Sequence, residues 1–200
     1  LDIPVVFYSK EDPPNYQHFL PVAKHADVIF TSAQEMIPRY LKDCPGVSNV
    51  DVLPFGVNPL HHSPIGHRYG TDGVIPFAGS WFQEKYKSRG TWGSVLFDGV
   101  IRSENHELLI FDRHSGLKRD RYRFPAKYQG AVLPAIAHDE LLEMLRLSDI
   151  AINLNSVQNS MSMFANRAVE LQATGTFILS NYNAGLNSLY PHIHLANTSI

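Results

Sequence analysis

Short apolar runs and amphipathic stretches alternate along the whole chain. The runs at 4–8, 27–31, 50–53, 74–78, 107–111, 129–133, 149–154 and 176–180 are rich in Val, Ile and Phe and are closed off by Gly, Pro, Asn or Asp. Runs this short, bounded by turn residues, predict buried strands, and 192–195 extends the series. Between them, 16–24, 33–42, 84–102, 138–146, 163–174 and 184–189 space their apolar residues at helical intervals. The clearest helix is Glu140-Leu-Leu-Glu-Met-Leu-Arg-Leu147, with Asp139 placed to cap it and Ser148-Asp149 to stop it. Strands that alternate with helices predict an α/β class, a mainly parallel, Rossmann-like sheet with helices on both faces.

The pattern fails between Pro54 and Gly73, where Pro, Gly and His dominate and no period survives. That break divides the chain into 1–58, a linker at 59–73, and 74–200. Too few strands precede it for a complete nucleotide-binding domain, whereas about 130 residues of nearly complete α/β pattern follow it. The first strand begins almost at Leu1, so the chain is expected to be a fragment that continues a domain begun elsewhere.

Composition narrows the classes. With 44% hydrophobic and 18% charged residues in 200, the chain has ample material for a core. A net charge of −2 offers no general attraction to nucleic acid or to an anionic membrane. No apolar run approaches a spanning helix, and no signal peptide opens the chain, so no membrane span is expected. Cys44 is the only cysteine, which excludes an internal disulfide and favours a cytoplasmic setting. His61-His62 and the pair His192 and His194 lack a third ligand nearby in sequence, so no metal site is expected.

The candidate chemistry lies at 153–176. The strand Ile150-Ala-Ile-Asn153 runs into a loop of small and amide residues, among them Ser156, Asn159, Ser160 and Ser162, ahead of a helix expected to start near Met163. Unpaired N–H groups and the positive end of the dipole at such a helix start attract an anion. Arg167 adds a forked charge-assisted donor, and Glu170, three residues on, can accept the hydroxyls of a ribose or a sugar. The same residues also make an ordinary N-cap and an ordinary i,i+3 pair, and spacing alone leaves both accounts open. Gly79 and Ser80 end the strand at 74–78, where an open parallel sheet binds its ligands, and Lys85, Lys87 and Arg89 follow. Arg113, Lys118, Arg119, Arg121 and Arg123 form a basic loop, suited to a nucleotide or an anionic acceptor and equally to solvent. Glu11 and Asp12, after the first strand, are candidates for the acceptor side.

Taken in order, Val74-Ile-Pro-Phe-Ala-Gly-Ser-Trp81, Ile110-Phe-Asp-Arg113, Tyr122-Arg-Phe-Pro125, Ile152-Asn-Leu-Asn-Ser156 and Met163-Phe-Ala-Asn-Arg-Ala-Val-Glu170 resemble the CgeB-like (spore-maturation-type) glycosyltransferases. That family is similar to the GT-B nucleotide-sugar transferases, and the resemblance covers most of residues 1–190. It implies that 1–58 ends an acceptor-side domain and that 74–200 is the donor domain. It also implies that Glu170 grips the donor ribose, that one cation among Lys85, Lys87 and Arg89 stabilises the leaving diphosphate, and that Tyr128-Gln129-Gly130 lies near the base. Arg89 is favoured because the family carries an arginine there. Two departures stand out: the usual glycine-arginine start of the first loop is missing, and Ser162 replaces the glutamate expected eight residues before Glu170. Sugar recognition then falls to the loop amides and to Asn159, Ser160, Met161 and Ser162.

The expectation is a GT-B glycosyltransferase that moves a sugar from a nucleotide-diphosphate donor to an unknown acceptor, a glycan, polymer or protein. Arg89 and Arg167 are its catalytic cations. The resemblance implies retention of configuration with no metal and no cofactor besides the donor. The alternatives are a non-catalytic nucleotide- or glycan-binding module, a degenerate transferase half, and a nucleotide-sugar epimerase.

Overall fold

The computed structural model describes residues 3–66, 73–82, 84–117 and 120–196, and the chain divides into two compact units. The first comprises Leu1–Gly56, Val157–Phe164 and Asn183–Tyr190, and the second comprises Val57–Ser156, Ala165–Tyr182 and Pro191–Ile200.

In the first unit, β1 (Val6–Ser9), β2 (Val28–Thr31) and β3 (Asn49–Val52) form a parallel sheet in that order. Helices α1 (Tyr16–Ala23) and α2 (Ile37–Asp43) are the crossovers, and a 3-10 turn at Gln34–Met36 leads into α2. Pro38 sits in the first turn of α2, where a missing N–H costs nothing. The core gathers Tyr16, Ile29, Met36, Tyr40 and Val50, with Tyr16 and Tyr40 meeting edge-on at 4.8 Å. Among the described residues, β1 pairs only with β2, and its free edge leaves Val5 and Val6 more than half exposed.

The second unit holds two more three-stranded parallel sheets. One is β4 (Val74–Gly79), β5 (Glu107–Asp112) and β6 (Val132–Pro134), and the other is β7 (Ile150–Asn153), β8 (Phe177–Asn181) and β9 (His194–Ala196). β4 runs beside β7 without joining it in a ladder. The spatial order is therefore β6-β5-β4-β7-β8-β9, the 3-2-1-4-5-6 order of doubly wound α/β sheets. Helices α3 (Lys87–Arg102), α4 (His138–Leu147) and α5 (Arg167–Thr174) follow β4, β6 and β7. Between β5 and β6 the chain makes 3-10 turns at Asp120–Tyr122 and Ala126–Ala131 in place of a helix. Trp81, Phe97, Phe124 and Tyr128 knit these pieces into one aromatic core under β4 and β5.

The α/β class and nearly all the elements follow the sequence pattern. Three details differ. First, α4 is capped by Ala137, with Glu140 accepting the Ala137 N–H at 3.1 Å, so Asp139 lies inside the first turn. Second, the helix expected from 163 starts at Arg167. Met163 N donates to Ser160 Oγ at 2.9 Å and Ala165 N donates to Asn155 Oδ1 at 2.9 Å. Phe164, 1% exposed, is held edge-on by Phe55 and Tyr190, and burying such a ring stabilises by about 1.5–3 kcal/mol. Third, the units do not follow chain order as 1–58 and 74–200 would. Residues 157–164 and 183–190, including α6 (Ala184–Leu189), belong to the first unit: Asn183 Nδ2 ties the two segments together by donating to Val157 O and Met163 O, and Ser162 and Phe164 join them to Ser32, Gln34 and Phe55. Part of the expected linker, 67–72, lies outside the described residues.

Candidate functional site

In the second unit the strand order reverses between β4 and β7, and at such a switch point the loops beyond the carboxyl ends diverge to leave a crevice. β4 ends there in Gly79 and Ser80. A Cβ at Gly79 would stand 2.8 Å from Phe77 Cζ, too close to be accommodated without moving that ring, and 3.5 Å from Arg89 Nη2, an ordinary contact that places the guanidinium beside this strand end. Ser80 is 2% exposed, and its buried Oγ has no hydrogen-bond partner among the described residues.

Arg89 enters from the first turn of α3 and joins both sides of the crevice. Its Nε donates to Ser80 O at 3.1 Å, and its Nη1 donates to Leu154 O at 2.7 Å and to Ser156 Oγ at 3.0 Å. Burial lowers its pKa to about 10, with Tyr86 opposing and Arg113 adding to the shift, so it is still a cation at neutral pH. The two lysines expected as alternatives are exposed, and Lys85 lies over the Tyr86 ring at 5.2 Å.

The other cation comes from α5. Asn166 caps the helix through its backbone, Arg167 is its first residue, and Glu170 lies in the first turn. Arg167 Nη1 and Glu170 Oε2 form an ion pair at 2.8 Å, and among the described residues Nη1 has no hydrogen-bond acceptor. Burial lowers the Arg167 pKa, Glu170 opposes the shift and Arg113 reinforces it. The remaining Glu170 oxygen, Oε1, accepts from Asn166 Nδ2 at 2.5 Å. Each carboxylate oxygen has a second lone pair, so Glu170 keeps capacity for a hydroxyl.

An amide network holds the strand end under this loop. Asn155, wholly buried, donates through its backbone N–H to Asn181 Oδ1 at 2.7 Å and through Nδ2 to Ser180 Oγ at 3.1 Å, while its Oδ1 caps Ala165 N. In the sequence, Asn155 stands inside the Ile152–Ser156 motif, and spacing alone assigns it no role. An isolated amide at a strand end is a usable signal only when a second amide, here Asn181, sits at the end of the neighbouring strand. Beyond β5, a cavity of about 400 Å³ is lined by Asp112, His114, Tyr122, Phe124, Gln129 and Val132. His114 and Tyr122 stack at 4.3 Å, and Phe82 meets both edge-on at 5.2 Å. Lys118 and Arg119 of the basic loop lie outside the described residues.

The structure thus brings Gly79, Ser80, Arg89, Arg167 and Glu170 into the second unit. Asn159, Ser160, Met161 and Ser162 belong to the first. There Ser160 Oγ donates to Glu35 Oε2 at 3.0 Å, and Ser162 Oγ donates to Ser32 O at 3.0 Å and accepts from Gln34 N at 2.8 Å. Both serines are buried, so their hydroxyls are committed to internal structure, whereas Asn159 and Met161 are exposed. Asp12 does not face an acceptor: it is wholly buried and accepts from Thr31 Oγ1 at 2.7 Å and from Tyr40 Oη at 2.9 Å. Glu11 is exposed and takes the side-chain amide of Asn15.

Among the described residues no helix is long and apolar enough to cross a membrane, and no group of three or more His, Cys, Asp or Glu is arranged to hold a metal ion. No family model matches the chain, and no curated protein matches it significantly.

Proposed function

We propose that the second unit binds a nucleotide-diphosphate sugar across the β4–β7 crevice and that the protein is a glycosyltransferase of GT-B type. One observation carries this reading: a buried arginine bridges the two strand ends at the switch point, next to a strand-end serine whose buried hydroxyl has no partner among the described residues. Buried cations and unsatisfied donors at such a point are costly unless an anion meets them. The diphosphate lies against Arg89, Arg167 and Ser80 Oγ. Glu170 takes the ribose hydroxyls with its free lone pairs, and the cavity lined by His114, Tyr122 and Gln129 takes the base. As the glycosidic bond breaks, negative charge grows on the diphosphate, and preorganised guanidiniums favour that state over the ground state. The resemblance to CgeB-like proteins supports the sugar, the retention of configuration and the unidentified acceptor.

A second reading, a nucleotide-binding module without turnover, is favoured by the sealing of Asp12 and of the Ser160 and Ser162 hydroxyls. Isothermal titration with UDP, GDP, ADP, CDP and TDP tests the shared binding step, and absence of heat with all of them removes both readings. Release of nucleoside diphosphate from the matching sugar nucleotide, with a panel of saccharide acceptors, separates the transferase from the module.

A further inference from the structure

Arg113 follows directly on β5, and its backbone N–H donates to Gly79 O at 3.1 Å, which sets the root of its side chain beside the end of β4. Because a Cβ at Gly79 would stand 3.5 Å from Arg89 Nη2, the two arginines share one close neighbour. The Arg113 charge acts on both buried guanidiniums, adding to the effect of burial at Arg89 and at Arg167. Other cations of the same loop are engaged elsewhere: Arg121 lies over the Tyr122 ring at 4.7 Å, and Arg123 is 3.8 Å from Asp120. Arg113 itself is exposed, and among the described residues it has no ion-pair partner. The neighbouring Asp112 carboxylate turns into its own loop, where it accepts from His114 N at 2.9 Å. The repulsion of Arg113 on the guanidinium held beside Gly79 is relieved when an anion lies between them.

Resting on the donor site proposed above, we infer that Arg113 is a third phosphate-contacting residue and that it selects a diphosphate over a monophosphate. Arg89 spans from Ser80 O to Leu154 O, and Arg167 opens α5 behind β7; together they serve one phosphate. Arg113 stands on the β5 side of Gly79 and meets the second. The site thereby distinguishes its ligands by the length of the anion it spans.

The test is isothermal titration of the whole chain with inorganic pyrophosphate, the best-binding nucleoside diphosphate of the five, and the corresponding monophosphate. The parent is compared with Arg113→Gln and with Arg102→Gln, which makes the same charge change at the exposed last residue of α3. Arg113→Gln is expected to melt with the parent and to lose about tenfold in affinity for pyrophosphate and diphosphate, the size of one charged hydrogen bond, with far less loss for the monophosphate. Arg102→Gln is expected to bind all three as the parent does. If the parent binds the diphosphate and Arg113→Gln binds it equally well, the assignment falls and the donor site stands. Equal losses for monophosphate and diphosphate, or equal losses in both variants, also overturn it. A parent that binds no ligand removes the donor site and this inference together.

Discussion

Arg89 and Glu170 show how one side chain serves structure and ligand at once. Arg89 spends Nε and Nη1 on strand-end groups, which leaves Nη2 toward Gly79. Glu170 is engaged at both oxygens, among the described residues by Asn166 and Arg167 alone. Glu170→Ala is expected to weaken nucleoside diphosphate binding by roughly 1.5–3 kcal/mol, measured by titration calorimetry. It should also lower the melting temperature, because Arg167, with a side chain 22% exposed, loses its counter-charge. Glu170→Gln, which keeps the contact with Asn166, separates the two effects, and unchanged affinity in both variants would end the ribose assignment. His114 gives a prediction in pH. Burial foremost, then Arg113, with Asp112 opposing, lowers its pKa below the usual 6.5. Between the folded value and about 6.5 the unfolded chain binds more protons, so stability is full above that range and is lost as pH falls through it. Urea denaturation at about pH 7.5 and about pH 5 should show a larger acid loss in the parent than in His114→Phe, which keeps the stack on Tyr122.

The loop between β7 and α5 is the element on which the site depends, and it is held by amides. Asn155 donates to Ser180 and Asn181 at the end of β8 and receives the Ala165 N–H, so one side chain sets where α5 begins. Asn155→Ala strands several buried partners and is expected to destabilise by about 3 kcal/mol or more, read by urea unfolding. Faster hydrogen exchange in 154–166 than elsewhere would localise the loss. This loop is also where the sequence was least legible. Met163 through Asn166 have helical composition, but Phe164 is drawn into an aromatic contact with Phe55 and Tyr190. Periodicity records which residues are apolar; it does not record which core receives them. The strands were legible for the opposite reason, since β4, β5 and β7 are buried apolar runs ended by polar or turn residues, and no tertiary contact competes with that reading.

At the scale of the molecule, the same blindness explains the units. A cut near residue 57, sensible from the Pro- and Gly-rich break, separates 157–164 and 183–190 from the rest of the unit into which they are built. A piece spanning 57–200 is therefore expected to show its lowest hydrogen-exchange protection in those two segments, while β4, β5, β7 and β8 stay protected; uniform protection would overturn the division. Of the site, Gly79, Ser80, Arg89, Arg167 and Glu170 were legible because each sits at a strand or helix end, where α/β sheets present ligand groups. Arg113 was legible as the end of a strand, but not its singling out from the charges that follow it, because sequence cannot say which of several cations is anchored to a neighbouring strand. The orphan Ser80 hydroxyl has a final consequence. A buried donor without an acceptor handicaps the unliganded fold by about 1–3 kcal/mol, and an arriving oxyanion lifts that handicap. Rigidity and recognition then oppose each other at a single atom: Ser80→Ala should melt above the parent when alone and below it once pyrophosphate saturates both, so the sturdiest version of this protein is also its poorest host.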